Sequence, residues 1–443
     1  MTIEQAMQLA LQHRQAGQLA EAERIYRQVL TVNPNVIEAY NNLGVLLYDL
    51  GRFNEAVFAY QRAIQLNPGS SAAYNNLGNA LRRVGRFDDA MIAHRHAIVL
   101  DPRSDSAHYN LGNALTEQQR LSEAMASYRR SIEIQPEAAD AHLSLAHALL
   151  LNGDFSEGWE EYEWRLKIRA PSPPPSIPKW DGSPLDGKLI LLQAEQGFGD
   201  TIQFVRYAPM VASRGGRVVL QCQRQVQRLL QTCAGIEQVI AIGEPMPPSD
   251  VHCPMLSLPH LFKTDMKSIP AEIPYIHAVD DLIPQWREKF AAMPKRMRIG
   301  ITWAGRPNSP GDHFRTINPA QLAPLLRNDR ADFFSLQKSA PATGNWIDWT
   351  NEIHDFADSA ALIANLDLVI TVDTAIAHLA GAMGKTVWLM LPFVPDWRWL
   401  LGRDESPWYP TMRIFRQRSI GDWPGVIADV IAALRAKLDQ SSP

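Results

Sequence analysis

The sequence predicts two architectures in one chain, an all-α repeat array followed by an α/β region built as two parallel-sheet halves. Three observations carry that expectation. Small, aromatic and proline residues recur every 34 positions through the first 170 residues; from Lys188 short apolar runs alternate with helical patterns; after Pro284 and Pro294 that alternation starts again. The implied organisation is a repeat array over 1–172, a proline-rich connection over 173–187, a first α/β half over 188–290 and a second over 291–443.

Within the array, Gly17, Gly51, Gly85 and Gly153 keep the period, with Gln119 in the fourth slot. Ala22, Ala56, Ala90 and Ala124 keep step with them, as do Tyr26, Tyr60, Tyr128 and Tyr162, and Pro34, Pro68, Pro102 and Pro136. Small residues let paired helices touch, and a proline ends each second helix. The pattern resembles the tetratricopeptide repeat (TPR) and accommodates five copies. Asn42, Asn76 and Asn110 share one repeat position, and Asn79 and Asn113 follow three residues later, on the same helix face. Asparagine is a mediocre helix former, so its recurrence suggests amides kept to hydrogen-bond an extended peptide. The plainer alternative is local capping or bonding between repeats. The recurrence resembles the asparagine ladder of O-GlcNAc transferases.

The fifth repeat departs from pattern. Gly158 takes the alanine slot, and Trp159 and Trp164 lie along its second helix, as expected of a helix that docks on the next domain. Pro171, Pro173, Pro174, Pro175 and Pro178 then predict an extended connection.

Apolar runs at Lys188–Gln193, Arg217–Gln221, Val239–Ile242 and Val251–Cys253 read as strands of the first half. Runs at Met297–Trp303, Phe333–Leu336, Leu368–Val372 and Thr386–Leu391 read as strands of the second. After the first run comes EQGFGDT: Gly197 and Gly199 permit a sharp turn, and Asp200 with Thr201 stand where a helix cap belongs. After Leu368–Val372 comes DTAIAH, where Asp373 and Thr374 are expected to cap a helix whose free amides favour an anion, with His378 one turn in. Asp373 is equally well explained as a plain cap, and His378 as a core histidine. Trp397, Trp399, Trp408 and Tyr409 suit a packed core better than a stacking platform, and Trp423–Leu438 reads as a closing amphipathic helix.

Forty-three basic against 47 acidic residues leave a net charge of −4, without the basic footprint of a nucleic-acid binder. Cys222, Cys233 and Cys253 lack CxxC spacing and are too few for a disulfide framework. With no signal-like start and no apolar run of spanning length, a cytoplasmic location is expected.

GFGDTIQ at 197–203 and DTAIAHLAGAMG at 373–384 resemble the two signature segments of the ADP-heptose lipopolysaccharide heptosyltransferase family, a GT-B group. With FSLQK and SPWYP added, the region from Trp180 is most similar to bacterial glycosyltransferases fused behind tetratricopeptide repeats, some of which glycosylate proteins such as flagellins. The resemblance implies a GT-B fold with a cleft between two Rossmann-like halves, and a last helix that crosses back to the first half. It implies Asp200 as general base and Asp373 with Thr374 at the donor; Glu195, five residues earlier on the same loop, is the rival base that the sequence itself offers. Arg306, Arg315, Gln337 and Lys338 are the candidates for the donor diphosphate. A carboxylate at a helix start is held ionised, which weakens it as a base unless a closed cleft desolvates it.

The expected activity is transfer of a sugar from a nucleotide donor to a polypeptide selected by the repeats. No cofactor beyond that donor is expected, and no metal, because no DxD-like motif stands at a strand end. The array is also a route to an oligomer. Two alternatives are a glycan or lipopolysaccharide acceptor with the repeats serving assembly, and a non-catalytic adaptor that only binds nucleotide.

Overall fold

The computed structural model describes residues 1–168, 176–305, 312–338 and 344–440. The prolines at 171 and 173–175 and Arg306 lie outside them. The chain divides into two units, Met1–Leu149 and Leu150–Pro443.

The first unit is a helical solenoid. Among the described residues the repeat region forms nine helices: α1 Ile3–Gln15, α2 Leu19–Val32, α3 Ile37–Asp49, α4 Phe53–Leu66, α5 Ser71–Arg83, α6 Phe87–Leu100, α7 Asp105–Glu117, α8 Leu121–Ile134 and α9 Ala139–Asn152. The period glycines have a local cause. Gly17, Gly51, Gly85 and Gly153 adopt positive φ, and Gln119 does so at φ 56° in the fourth slot. Gly44, Gly78 and Gly112 have a different one. A Cβ on them would meet the rings of Tyr60, His94 and Tyr128 at 2.6, 2.5 and 2.5 Å, so paired helices touch only because it is missing. His94 thus occupies the aromatic slot that Tyr26, Tyr60 and Tyr128 fill in neighbouring repeats.

In the second unit, α10 (Phe155–Tyr162) and α11 (Arg165–Ile168) precede two parallel sheets. The boundary between units therefore falls inside the fifth repeat, ahead of the proline stretch. The first sheet contains β1 Leu189–Gln193, β2 Arg217–Cys222, β3 Gln238–Ala241 and β4 Val251–Pro254 in the order β3-β2-β1-β4. The second contains β5 Met297–Thr302, β6 Ala331–Ser335, β7 Ile347–Asp348, β8 Leu368–Val372, β9 Val387–Leu391 and β10 Met412–Arg416 in the order β10-β9-β8-β5-β6-β7. Every pairing between these strands is parallel, as crossover helices require. Strand order reverses between β1 and β4 in one sheet and between β5 and β8 in the other. Such switch points leave a crevice beyond the carboxyl ends of the strands.

The last helix, Trp423–Gln440, corrects an expectation. Its buried residues Trp423, Val426, Ile427, Val430, Leu434 and Leu438 join Ile299, Leu325, Ile370 and Trp388 in the core of the second sheet. It covers its own half instead of crossing back, because its apolar stripe matches that sheet face.

Candidate functional site

The loops that leave β1 and β8 each run into a helix, and the two helices pack together. The first is α12, Phe198–Phe204, and the second is Ala375–Ala382. Gly199 makes the approach possible. A Cβ there would lie 2.8 Å from His378 Cδ2 and 3.6 Å from the Ala375 Cα.

The cap of α12 lies three residues earlier than expected. Gly197 is its N-cap, and Asp200 Oδ2 reaches back to accept from the Gly197 amide at 2.8 Å. The other Asp200 oxygen, Oδ1, pairs with the Arg398 guanidinium. Arg398 stands on the 3-10 turn Trp397–Trp399 and is 6 % exposed. It also donates to Asp396 Oδ1 at 2.9 Å and to Gln203 Oε1, with its cation 4.2 Å from the Trp397 ring centroid. Burial pushes the Asp200 carboxyl up from its ordinary value, Arg398 pulls it back, and Asp396 adds to the upward push. Desolvation therefore outweighs the helix start, and Asp200 is a stronger base than its position as a helical carboxylate suggests.

At the second helix, Thr374 is the N-cap, but its hydroxyl bonds Thr371 Oγ1 at 3.2 Å and makes no side-chain cap. Asp373 is pushed up to about 6, by burial first and by Asp396 next, against the Trp399 indole, Arg315 and Arg398. His378 Nε2 lies 4.0 Å from Asp373 Oδ1, its Nδ1 lies 2.9 Å from the Tyr409 hydroxyl, and its ring stacks on Trp399. Burial drives His378 down to about 3, so it is neutral. Arg315 donates to the Asp373 carbonyl at 3.2 Å, which brings a cation to this corner.

Other candidates are committed elsewhere. The Glu195 carboxylate is 3 % exposed and takes both arms of Arg165, each at 3.1 Å, plus the Leu256 amide at 3.0 Å. Arg165 also bonds Ser257 Oγ at 2.8 Å and Glu163 at 2.6 Å. Burial pushes the Glu195 carboxyl up from its ordinary value against the pull of Arg165, and both of its oxygens are already taken by these donors. Gln337 Oε1 accepts from the Ala304 amide at 3.1 Å and so shapes the loop after β5. Lys338 is exposed and donates to the Ile353 carbonyl at 3.3 Å.

In the solenoid, Asn110 Nδ2 donates to Asn75 Oδ1 at 3.1 Å, and Asn113 Oδ1 accepts from the Tyr128 hydroxyl at 2.9 Å. Asn79 Oδ1 is buried without a partner, because His94 lacks the hydroxyl that Tyr128 supplies one repeat later. Asn42 and Asn76 are half-buried, and their side chains carry no hydrogen bond among the described residues.

Sequence reasoning missed Arg398, Asp396 and Gln203, which complete the setting of Asp200. It also missed Arg206, which is 4 % exposed, donates to the Pro270 and Trp408 carbonyls and the Tyr275 hydroxyl, and faces three aromatic rings. For Arg398 the available signal was its place between Trp397 and Trp399. Trp397, Trp399, Trp408 and Tyr409 themselves are buried in the core.

The chain carries tetratricopeptide repeats in its N-terminal region. That family matches residues 37–70 and 59–91, and a related TPR repeat description matches 112–153. Protein FlbA of Caulobacter vibrioides is 26% identical over 297 residues, which is 58% of this chain and 48% of FlbA. The chain thus spans about half the length of that relative. Among solved structures, a MamA protein shares 26% identity with a TM-score of 0.36, covering 40% of this chain and 98% of that one. YrrB, described as a TPR protein with an unusual peptide-binding site, shares 18% with a TM-score of 0.33, covering 38% of this chain and 86% of that one. Among the described residues, no helix is long and apolar enough to cross a membrane.

Proposed function

We propose that this chain is a GT-B glycosyltransferase that moves a sugar from a nucleotide donor to a polypeptide held by its tetratricopeptide repeats. One observation carries the reading. A desolvated carboxylate, Asp200, stands at the switch point of one parallel sheet and faces the start of the helix Ala375–Ala382 at the switch point of another, with Arg398 and Arg315 beside it. In the reaction Asp200 takes the proton of the acceptor group as that atom's lone pair bonds the anomeric carbon. The bond from that carbon to phosphate oxygen breaks, and its electron pair leaves on the phosphate. Cationic side chains and helix-start amides stabilise that charge.

The test is mass spectrometry of candidate acceptor proteins from the same cell after incubation with the purified chain and nucleotide sugars, CMP-linked nonulosonic acids included. Asp200→Asn is expected to abolish transfer, by about 100-fold or more in rate, while donor affinity stays within a few-fold. Near-normal transfer by this variant would remove Asp200 from the chemistry.

A further inference from the structure

Resting on the transferase reading, we propose that Arg398 is the cation that receives the donor's phosphate, and that it does so by exchanging the Asp200 carboxylate for a phosphate oxygen.

The arrangement at rest has a chemical problem that this exchange solves. A base paired to a guanidinium must give up that ion pair before the paired oxygen can take a proton. Asp200 is tied in that way to Arg398, and the same guanidinium is buried where the two helices meet. Arg398 does not depend on Asp200 for its position. Asp396 and Gln203 bond its other nitrogens, and the Trp397 face lies beneath it, so one arm can change partner while the other two hold the plane of the group. The carboxylates of the cluster are less enclosed than the cation they hold. The side chains of Asp396, Asp200 and Asp373 keep 36%, 19% and 14% of their surface, whereas that of Arg398 keeps 7%. An anion that arrives there meets a buried cation whose present partner is the group the reaction needs free.

Asp200 and Asp396 both pair with Arg398, and Asp373 lies in the field of Arg398 and Arg315. The resting cluster therefore carries an excess of acid against an incoming phosphate. Taking a proton onto Asp200 during transfer removes one of those negative charges as the leaving phosphate gains its own. Arg398 couples the two changes, because the phosphate that holds it also keeps it away from the base.

The experiment uses inorganic pyrophosphate as probe and the full chain as protein. Binding is measured by calorimetry in wild type, Arg398→Gln, Asp200→Asn and the double variant, with unliganded melting as the control for folding. Arg398→Gln is expected to weaken pyrophosphate at least about tenfold, the loss of one charge-assisted hydrogen bond. Asp200→Asn is expected to tighten it several-fold, since Arg398 loses its competing anion. The double variant is expected to bind like Arg398→Gln. A strut that merely joins the two halves predicts instead that both single variants weaken binding.

Unchanged or weaker binding in a folded Asp200→Asn chain, unchanged binding in Arg398→Gln, or no binding by wild type at millimolar pyrophosphate each overturns the inference. The expected pattern in a chain that transfers no sugar would retain the anion site and discard the transferase. Transfer without that pattern would do the reverse.

Discussion

Asp373 shows how a residue can be half legible. Its place after β8 follows from the strand and turn pattern, but its state follows from burial first and then from side chains distant in sequence: Asp396, Trp399, Arg315 and Arg398. With its folded value near 6 and an unfolded value of about 3.9, it binds its proton more tightly when folded. Ionisation therefore opposes folding. Its contribution is most favourable below about pH 4 and is lost as pH rises through about 6. Asp373→Asn removes that dependence. Relative to wild type, the variant is expected to gain about 1 kcal/mol of stability between pH 5 and pH 8. Denaturant melts at the two values check it, and a loss over that interval would mean that Asp373 is held ionised.

Among elements, α10 and α11 belong with the sheets that come after them, although their sequence continues the repeat. Trp159 is 1% exposed and donates to the Thr264 carbonyl at 3.0 Å, and Arg165 ties together the segments after β1 and β4 through Glu195 and Ser257. Removing the guanidinium leaves a buried carboxylate without its counter-charge, which costs about 3–5 kcal/mol. Arg165→Met is accordingly expected to lower stability by that amount in denaturant melts, and adding Glu195→Gln should recover much of it. If the single variant melted like wild type, Glu195 would be neutral or reached by water.

Element-level legibility followed burial. All eight strands that the apolar runs mark are present to within two residues at each end, because parallel strands buried on both faces are continuous in hydrophobicity. β10 was missed because Arg413 and Arg416 interrupt Met412, Ile414 and Phe415 on an edge strand. β7 is two residues long and leaves no pattern. Arg398 and Asp200 are separated by 198 positions, and no local period joins them. Trp159 was readable as a docking group, but its arginine neighbour in space, Arg165, looked like any charge on a helix.

For the whole molecule, the open question is what the repeats do, and the division at Leu149 decides how to ask it. A chain begun near Pro171 would lose Trp159 and Arg165 and strand Glu195, so its failure would report damage to the second unit. A chain begun near Pro136, ahead of α9, keeps both. Substitutions need the same care. Asn110 and Asn113 already bond Asn75 and Tyr128, so alanine there costs the solenoid itself. Asn42 and Asn76 carry no such duty among the described residues, and alanine is the better helix former. If their amides hold acceptor main chain at about 1 kcal/mol each, Asn42→Ala with Asn76→Ala should weaken transfer to intact acceptor protein by roughly 30-fold. Melting and donor hydrolysis should stay unchanged. The chain from Pro136 should keep hydrolysis and lose acceptor selection altogether. Undiminished transfer by the double variant would end the role of the asparagines, and undiminished transfer by the shortened chain would end that of the repeats.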